Sequence, residues 1–135
     1  MIRLLDTNIC VYLIRNRPPE VLRRFDEYAV GDVGLSSVTA AELHFGAHKS
    51  RSPEQNLAAL EQFLLPLTVV GFDEGAAAAY GRVRAFLEGR GTPIGSLDTL
   101  IAAHALSLDL TLVTNNVREF ERVPDLEVEN WVSAP

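Results

Sequence analysis

Four carboxylates stand where they could act together. Asp6 ends the apolar run Ile2 to Leu5, and Glu42 lies about one turn into the helix that follows a second strand. Asp98 falls in the first turn of a later helix, and Glu119 follows the strand Leu110 to Val113. In a parallel sheet such strand-to-helix junctions share one edge, which is where open α/β sheets place their ligands. Asp98 sits on a helix with Leu100, Ile101, Ala102, Ala103 and Ala105, and Glu42 is set among Val38, Ala40, Ala41, Leu43 and Phe45. Carboxylates in such company carry a desolvation cost unless they are paired or metal-bound. With no Lys to neutralise them, gathered acids imply Mg²⁺ or Mn²⁺, hard ions that take oxygen ligands. Taken singly, Asp6 and Asp98 also read as helix caps, Glu42 as a solvated surface residue, and Glu119 as one charge among several.

Other reactive residue types have plainer readings. His44 and His48 have the spacing of a zinc pair, but Phe45-Gly46-Ala47 between them lacks the Glu of H-E-x-x-H, so they read as partly exposed polar residues. His104, among alanines, reads as a packed, hydrogen-bonded core histidine. Cys10 has no evident base or cation beside it to make a thiolate and reads as a small buried apolar residue. Arg15, Arg17, Arg23 and Arg24 cluster around the first inter-helix turn, as a solvated face or as contacts to a phosphate backbone or a partner.

The elements that must position these groups alternate. Strands are expected at Ile2 to Leu5, Val33 to Ser36, Leu67 to Phe72, Leu110 to Val113 and Leu126 to Val128. Between them the pattern predicts a helix over Thr7 to Arg15, one from Pro18-Pro19 to about Tyr28, and one over Val38 to Lys49 capped by Ser36-Ser37. Further helices start at Ser52-Pro53-Glu54, run from Asp73 to about Gly89 with Gly91 closing, and span Leu97 to Ser107. Asn115 to Phe120 is expected as a tight turn or a single helical turn. The alternation predicts a parallel sheet with right-handed crossovers and helices on both faces. The first helix is apolar nearly all round. Together with stripes on the second helix and the Pro53 helix, it predicts a groove for a partner's amphipathic segment.

The 135 residues suit a single domain spanning 1–135, and 47% apolar with 22% charged residues is ordinary for a globular protein. A net charge of −6 argues against a nucleic-acid partner. That inference weakens if the acids share a metal site, because bound cations reverse the local sign. Of the 12 basic residues all but Lys49 are arginine, which suits bidentate phosphate contact. No apolar run approaches the ~20 residues of a membrane span, and the start lacks a signal-peptide pattern, so a cytoplasmic location is expected.

Four stretches together carry a resemblance: L-L-D-T-N-I-C, S-S-V-T-A-A-E-L-H-F-G-A, G-T-P-I-G-S-L-D-T-L-I-A-A-H-A and L-V-T-N-N-V-R-E-F-E-R-V. In order and spacing, over essentially the whole chain, this pattern resembles the VapC-type PIN-domain ribonuclease toxins of VapBC toxin–antitoxin systems. The resemblance implies a PIN-like three-layer α/β sandwich and metal-dependent hydrolysis of RNA phosphodiesters, with tRNA the leading substrate. Asp6 and Asp98 match the principal Mg²⁺ ligands, Glu42 the third acid, and Glu119 a fourth position that is more often Asp. Asn116 stands where some members carry another Asp, while Thr7, Asn8 and Ser37 match polar positions bordering the pocket. The resemblance also implies a VapB-like antitoxin, a homodimer within the toxin–antitoxin complex, and operator DNA engaged only through the antitoxin.

Two rivals belong to other classes. An aspartyl-phosphate phosphatase or receiver would use Asp6 as nucleophile, but Asp6-Thr7-Asn8 lacks the second Asp of D-x-D-x-T, and no Lys follows a late strand. A non-catalytic interaction module would keep the fold without the chemistry, and Asn116 in an acidic slot is the feature that favours it.

Overall fold

The computed structural model describes residues 1–132. Its strands are β1 (Arg3–Leu5), β2 (Val33–Ser36), β3 (Thr68–Val70), β4 (Thr111–Val113) and β5 (Val128–Glu129). The helices are α1 (Thr7–Asn16), α2 (Pro19–Phe25), α3 (Ser37–Lys49), α4 (Pro53–Leu64), α5 (Glu74–Gly89), α6 (Ser96–Ser107) and the single turn α7 (Val117–Phe120). The strands form one sheet in the order β3-β2-β1-β4-β5, every pair parallel. Leu5 pairs with Leu35 on one side and Val113 on the other, so the carboxyl ends of β1, β2 and β4 finish level. That common edge receives the four acids.

Successive strand residues point to opposite faces, and each face has its own core. Leu4 and Leu112 pack with Ala79, Val83 and Leu87 of α5 and with Ile101 to Ala105 of α6. Leu5, Leu35 and Val113 pack with Ile9 and Leu13 of α1, Val21 of α2, Leu43 of α3 and Leu60 of α4. This is a three-layer sandwich, and it explains why β1, between the two cores, buries both of its leucines completely. Full burial of each leucine contributes about 1.5–3 kcal/mol. Among the described residues, no helix is long and apolar enough to cross a membrane.

Helix ends follow local chemistry, with corrections of detail. Asp73 Oδ1 accepts from Ala76 N–H at 3.0 Å and starts α5. Gly91, at φ +71°, closes it in a Schellman motif with Thr92 N–H on the Leu87 carbonyl and Gly91 N–H on that of Glu88. Ser36 caps α3 through Val38 N–H at 3.0 Å, so that helix begins one residue earlier than expected. Ser52 occupies the cap position of α4 but makes no side-chain cap bond, leaving Pro53 to set the first turn.

Helix α2 stops at Phe25, short of Tyr28, because Phe25 and Tyr28 turn to enclose Trp131 at centroid distances of 5.3 and 5.5 Å. Strand β5 is displaced to Val128–Glu129 from the expected 126–128. Glu129 is fixed there by Arg24 at 2.8 Å, Arg3 at 3.3 Å and the Trp131 indole N–H. Arg24 thus belongs to this tie rather than to a free basic face.

Candidate metal centre

Asp6 is both a cap and a site residue. It follows β1, its backbone N–H bonds to Val113 O at 3.0 Å, and Oδ1 accepts from Ile9 N–H at 2.8 Å to start α1. Its other oxygen, Oδ2, accepts from Thr114 Oγ1 at 2.5 Å, and Thr114 Oγ1 in turn accepts from Asn116 N–H at 2.9 Å. With 1% of its surface exposed, the carboxylate is almost wholly out of water. Burial lifts its pKa from 3.8 to about 6; the Thr114 and Ile9 bonds pull against this, and the charges of Glu119 and Glu42 add to it.

Glu42 reaches the same edge from α3. Thr7 Oγ1 donates to Glu42 Oε1 at 2.7 Å and lies 3.2 Å from Thr39 Oγ1, so the residue after Asp6 orients the second acid. Asp98 projects from the first turn of α6 with a pKa raised to about 7. Burial is the largest cause, followed by the charge of Glu119 and a hydrogen bond to it, then by the charges of Asp6 and Glu42. Glu119 Oε1 accepts from Gly95 N–H at 3.0 Å and Oε2 accepts from Asn116 Nδ2 at 2.6 Å. A Cβ at Gly95 would stand 3.3 Å from Asp98 Oδ2, so glycine there keeps the approach to that carboxylate open.

The four predicted acids therefore share one electrostatic environment. Asn116 joins it as a donor to Glu119, and Thr7 as a donor to Glu42. Asn8 is exposed on the first turn of α1. The Ser37 hydroxyl accepts from Phe72 N–H at 3.1 Å. Thr114, Thr39 and Gly95 were not singled out in the sequence. All three lie in the quoted motifs, but a small or polar residue beside a strand or turn carries no signal of the bond it makes, as with Thr114 and Asp6. His44 and His48 are both exposed. Cys10 is fully buried beside Asp6, and burial pushes its thiol well above the usual range.

Among the described residues, no three His, Cys, Asp or Glu side chains converge on a single ligating point. The reason is visible in the bonds above: Asp6, Glu42 and Glu119 each direct oxygens to Thr114, Thr7 or Asn116. The donor set nevertheless fits a hard divalent cation. It consists of carboxylate oxygens, none of the four acids is held in an ion pair by an Arg or Lys among the described residues, and Asp6 and Asp98 are each raised by the other acids' charge. A cation relieves such repulsion.

Comparison with known proteins gives a consistent answer. The family model described as PIN domain matches residues 3–126. The chain is 50% identical over 129 residues to Ribonuclease VapC2 of Haemophilus influenzae, covering 96% of this chain and 97% of that protein. It is 48% identical over 128 residues to the tRNA(fMet)-specific endonuclease VapC of Shigella flexneri, covering 95% of this chain and 96% of that protein. Among solved structures, DNA-bound VapBC from Salmonella typhimurium superposes with a TM-score of 0.95 at 44% identity, covering 98% of this chain and 99% of that chain.

Proposed function

Because the chain belongs to the PIN-domain family and within it to the VapC ribonucleases, we propose that it is a divalent-metal-dependent endoribonuclease toxin that hydrolyses RNA phosphodiester bonds in the cytoplasm. The single observation that carries the site assignment is the placement of Asp6, Glu42, Asp98 and Glu119 at one sheet edge, where burial first and the neighbouring acids' charges second raise Asp6 and Asp98. Asp6, Asp98 and Glu42 would hold Mg²⁺ or Mn²⁺, which when bound supplies Lewis-acid polarisation of a phosphate oxygen and a water of lowered pKa. The protein's own groups hold the carboxylates in place. Thr114 and Ile9 N–H orient Asp6, Thr7 orients Glu42, and Gly95 N–H and Asn116 orient Glu119 against Asp98.

The substrate proposed is tRNA, on the strength of the likeness to an endonuclease whose name specifies tRNA(fMet). The partner proposed is a VapB-like antitoxin, since the solved relatives include VapBC complexes, two of them bound to DNA. Two troughs suit its amphipathic tail. One, of about 290 Å³, lies between α2 and α4 and is lined by Leu22, Phe25, Phe63 and Leu67. The other, of about 160 Å³, lies among α1, α3 and α4, with Val11, Ile14 and Leu60 on its walls and Arg15 and Glu42 also lining it. The test is expression of the chain alone and together with a VapB-like antitoxin. Growth arrest with tRNA cleavage in the first case, and relief with a captured complex in the second, is expected.

A further inference from the structure

His104 is fully buried on α6, and the mechanism above gives it no task. Its Nδ1 lies 2.8 Å from Ser36 Oγ, also fully buried, at the junction of β2 and α3. Ser36 Oγ already accepts from Val38 N–H as the cap of α3. With the ring proton on Nε2, Nδ1 accepts the Ser36 hydroxyl proton. Nε2 closes no hydrogen bond among the described residues, and the Gly71 backbone lies close to the ring. The Phe72 ring packs edge-on at 5.3 Å, while Phe72 N–H reaches back to Ser37 Oγ. Burial lowers the imidazole pKa, keeping the ring neutral and Nδ1 an acceptor.

The placement of this bond gives it a consequence. His104 follows Asp98 by six residues on α6, and Ser36 precedes Glu42 by six residues at the head of α3. One buried bond thus ties together the two helices whose acids must meet the same ion. An arm of six helical residues spans about 9 Å and is stiff. A small shift at the tie therefore moves a carboxylate at the far end, and metal sites respond to the groups that orient their ligands.

We propose that His104 is a positioning residue: through Ser36 it fixes α3 against α6 and so sets Glu42 relative to Asp98 for metal binding. This rests on the metal-site reading above, and the test separates the two. Mn²⁺ uptake by the antitoxin-free protein is titrated calorimetrically for wild type, His104→Leu, His104→Asn and Ser36→Ala. Urea unfolding and the kcat and KM of RNA cleavage are measured on the same samples. Asn keeps an acceptor within reach of Ser36, whereas Leu fills the space without one.

The expected result is an approximately tenfold loss of Mn²⁺ affinity in His104→Leu and Ser36→Ala, a lower kcat at unchanged KM, and substantial recovery in His104→Asn. The Ser36→Ala/His104→Leu double variant should be no worse than Ser36→Ala, which already removes the bond to His104 together with the Val38 cap. A packing role alone predicts the reverse order, with the apolar Leu tolerated better than Asn. Equal Mn²⁺ affinity in wild type and His104→Leu, or Leu outperforming Asn, overturns the proposal. If His104→Leu does not fold, Ser36→Ala decides in its place. A wild type that takes up no Mn²⁺ overturns the metal-site reading, and this inference with it.

Discussion

Thr7 Oγ1 donates to Glu42 Oε1 at 2.7 Å, so the first residue of α1, immediately after one buried acid, sets the direction of a second acid from α3. Val is nearly isosteric with Thr but has no hydroxyl, so Thr7→Val frees Glu42 without opening a large void. Removal of such supporting groups costs about 10–100-fold in metal affinity or activity. Thr7→Val should therefore cleave RNA at least about tenfold more slowly, with urea unfolding little changed. Activity within twofold of wild type would mean that Glu42 needs no anchor.

The raised acids fix the sign of a pH effect. Asp6 at about 6 and Asp98 at about 7 lie above their ordinary 3.8. Between about pH 4 and 7 the folded, metal-free protein thus binds more protons than the unfolded chain, and these groups lower stability as pH rises. Buried, neutral His104 acts in the opposite sense as pH falls below its ordinary 6.5, so the comparison to make is with Asp98→Asn. In EDTA at pH 8, Asp98→Asn should melt higher than wild type, and the two should converge near pH 4. Saturating Mn²⁺ should raise the wild-type Tm, more at pH 8 than at pH 6, because the ligands must be deprotonated. Lower stability of Asp98→Asn in EDTA at pH 8 would contradict the assigned repulsion.

Gly34 sits in β2 opposite Thr68 of β3. A Cβ there would overlap the Thr68 carbonyl oxygen and stand 2.8 Å from Met1 Sδ. The methionine can move, but the strand carbonyl cannot without breaking the ladder. Gly34→Ala should destabilise by about 1–3 kcal/mol or more, in the manner of overpacking, read from the urea midpoint. A midpoint at or above wild type would show that β3 shifts freely.

The architecture was legible because its punctuation is local. Asp73, Gly91, Pro19 and Pro53 each change backbone chemistry at one position, and the helices begin or end beside them. Asp6 and Asp98 were legible from their apolar flanks. Thr114 was not, because a lone threonine after a strand reads only as a strand former. Its bond to Asp6 spans 108 residues and exists because β1 and β4 are in register. Likewise the bond that the Ser37 hydroxyl accepts from Phe72 N–H joins residues 35 apart and left no mark in the motif that holds Ser37. The end of α2 was misplaced because the aromatic nest around Trp131 is a tertiary event.

Glu119, like Asp6, has a donor on each carboxylate oxygen, Gly95 N–H on one and Asn116 on the other. Glu119→Gln keeps the shape and one acceptor oxygen and removes the charge that presses on Asp98. The expected cost in cleavage rate is about tenfold, less than that of Asp98→Asn. A steady-state comparison of the two variants on one RNA checks the order, and a larger loss at Glu119 would reassign it as a principal ligand.

Whether Asp6 and its companions build a metal site for RNA hydrolysis is tested most directly by cleavage of total tRNA by antitoxin-free protein on a denaturing gel. Asp6→Asn changes almost no volume, and Asn still caps a helix, so folding should survive while the charge that holds the cation is lost. Wild type should cut in Mn²⁺ or Mg²⁺ and stop in EDTA, and Asp6→Asn should be slower by orders of magnitude. Cutting that persists in EDTA, or an Asp6→Asn protein as active as wild type, would contradict the account.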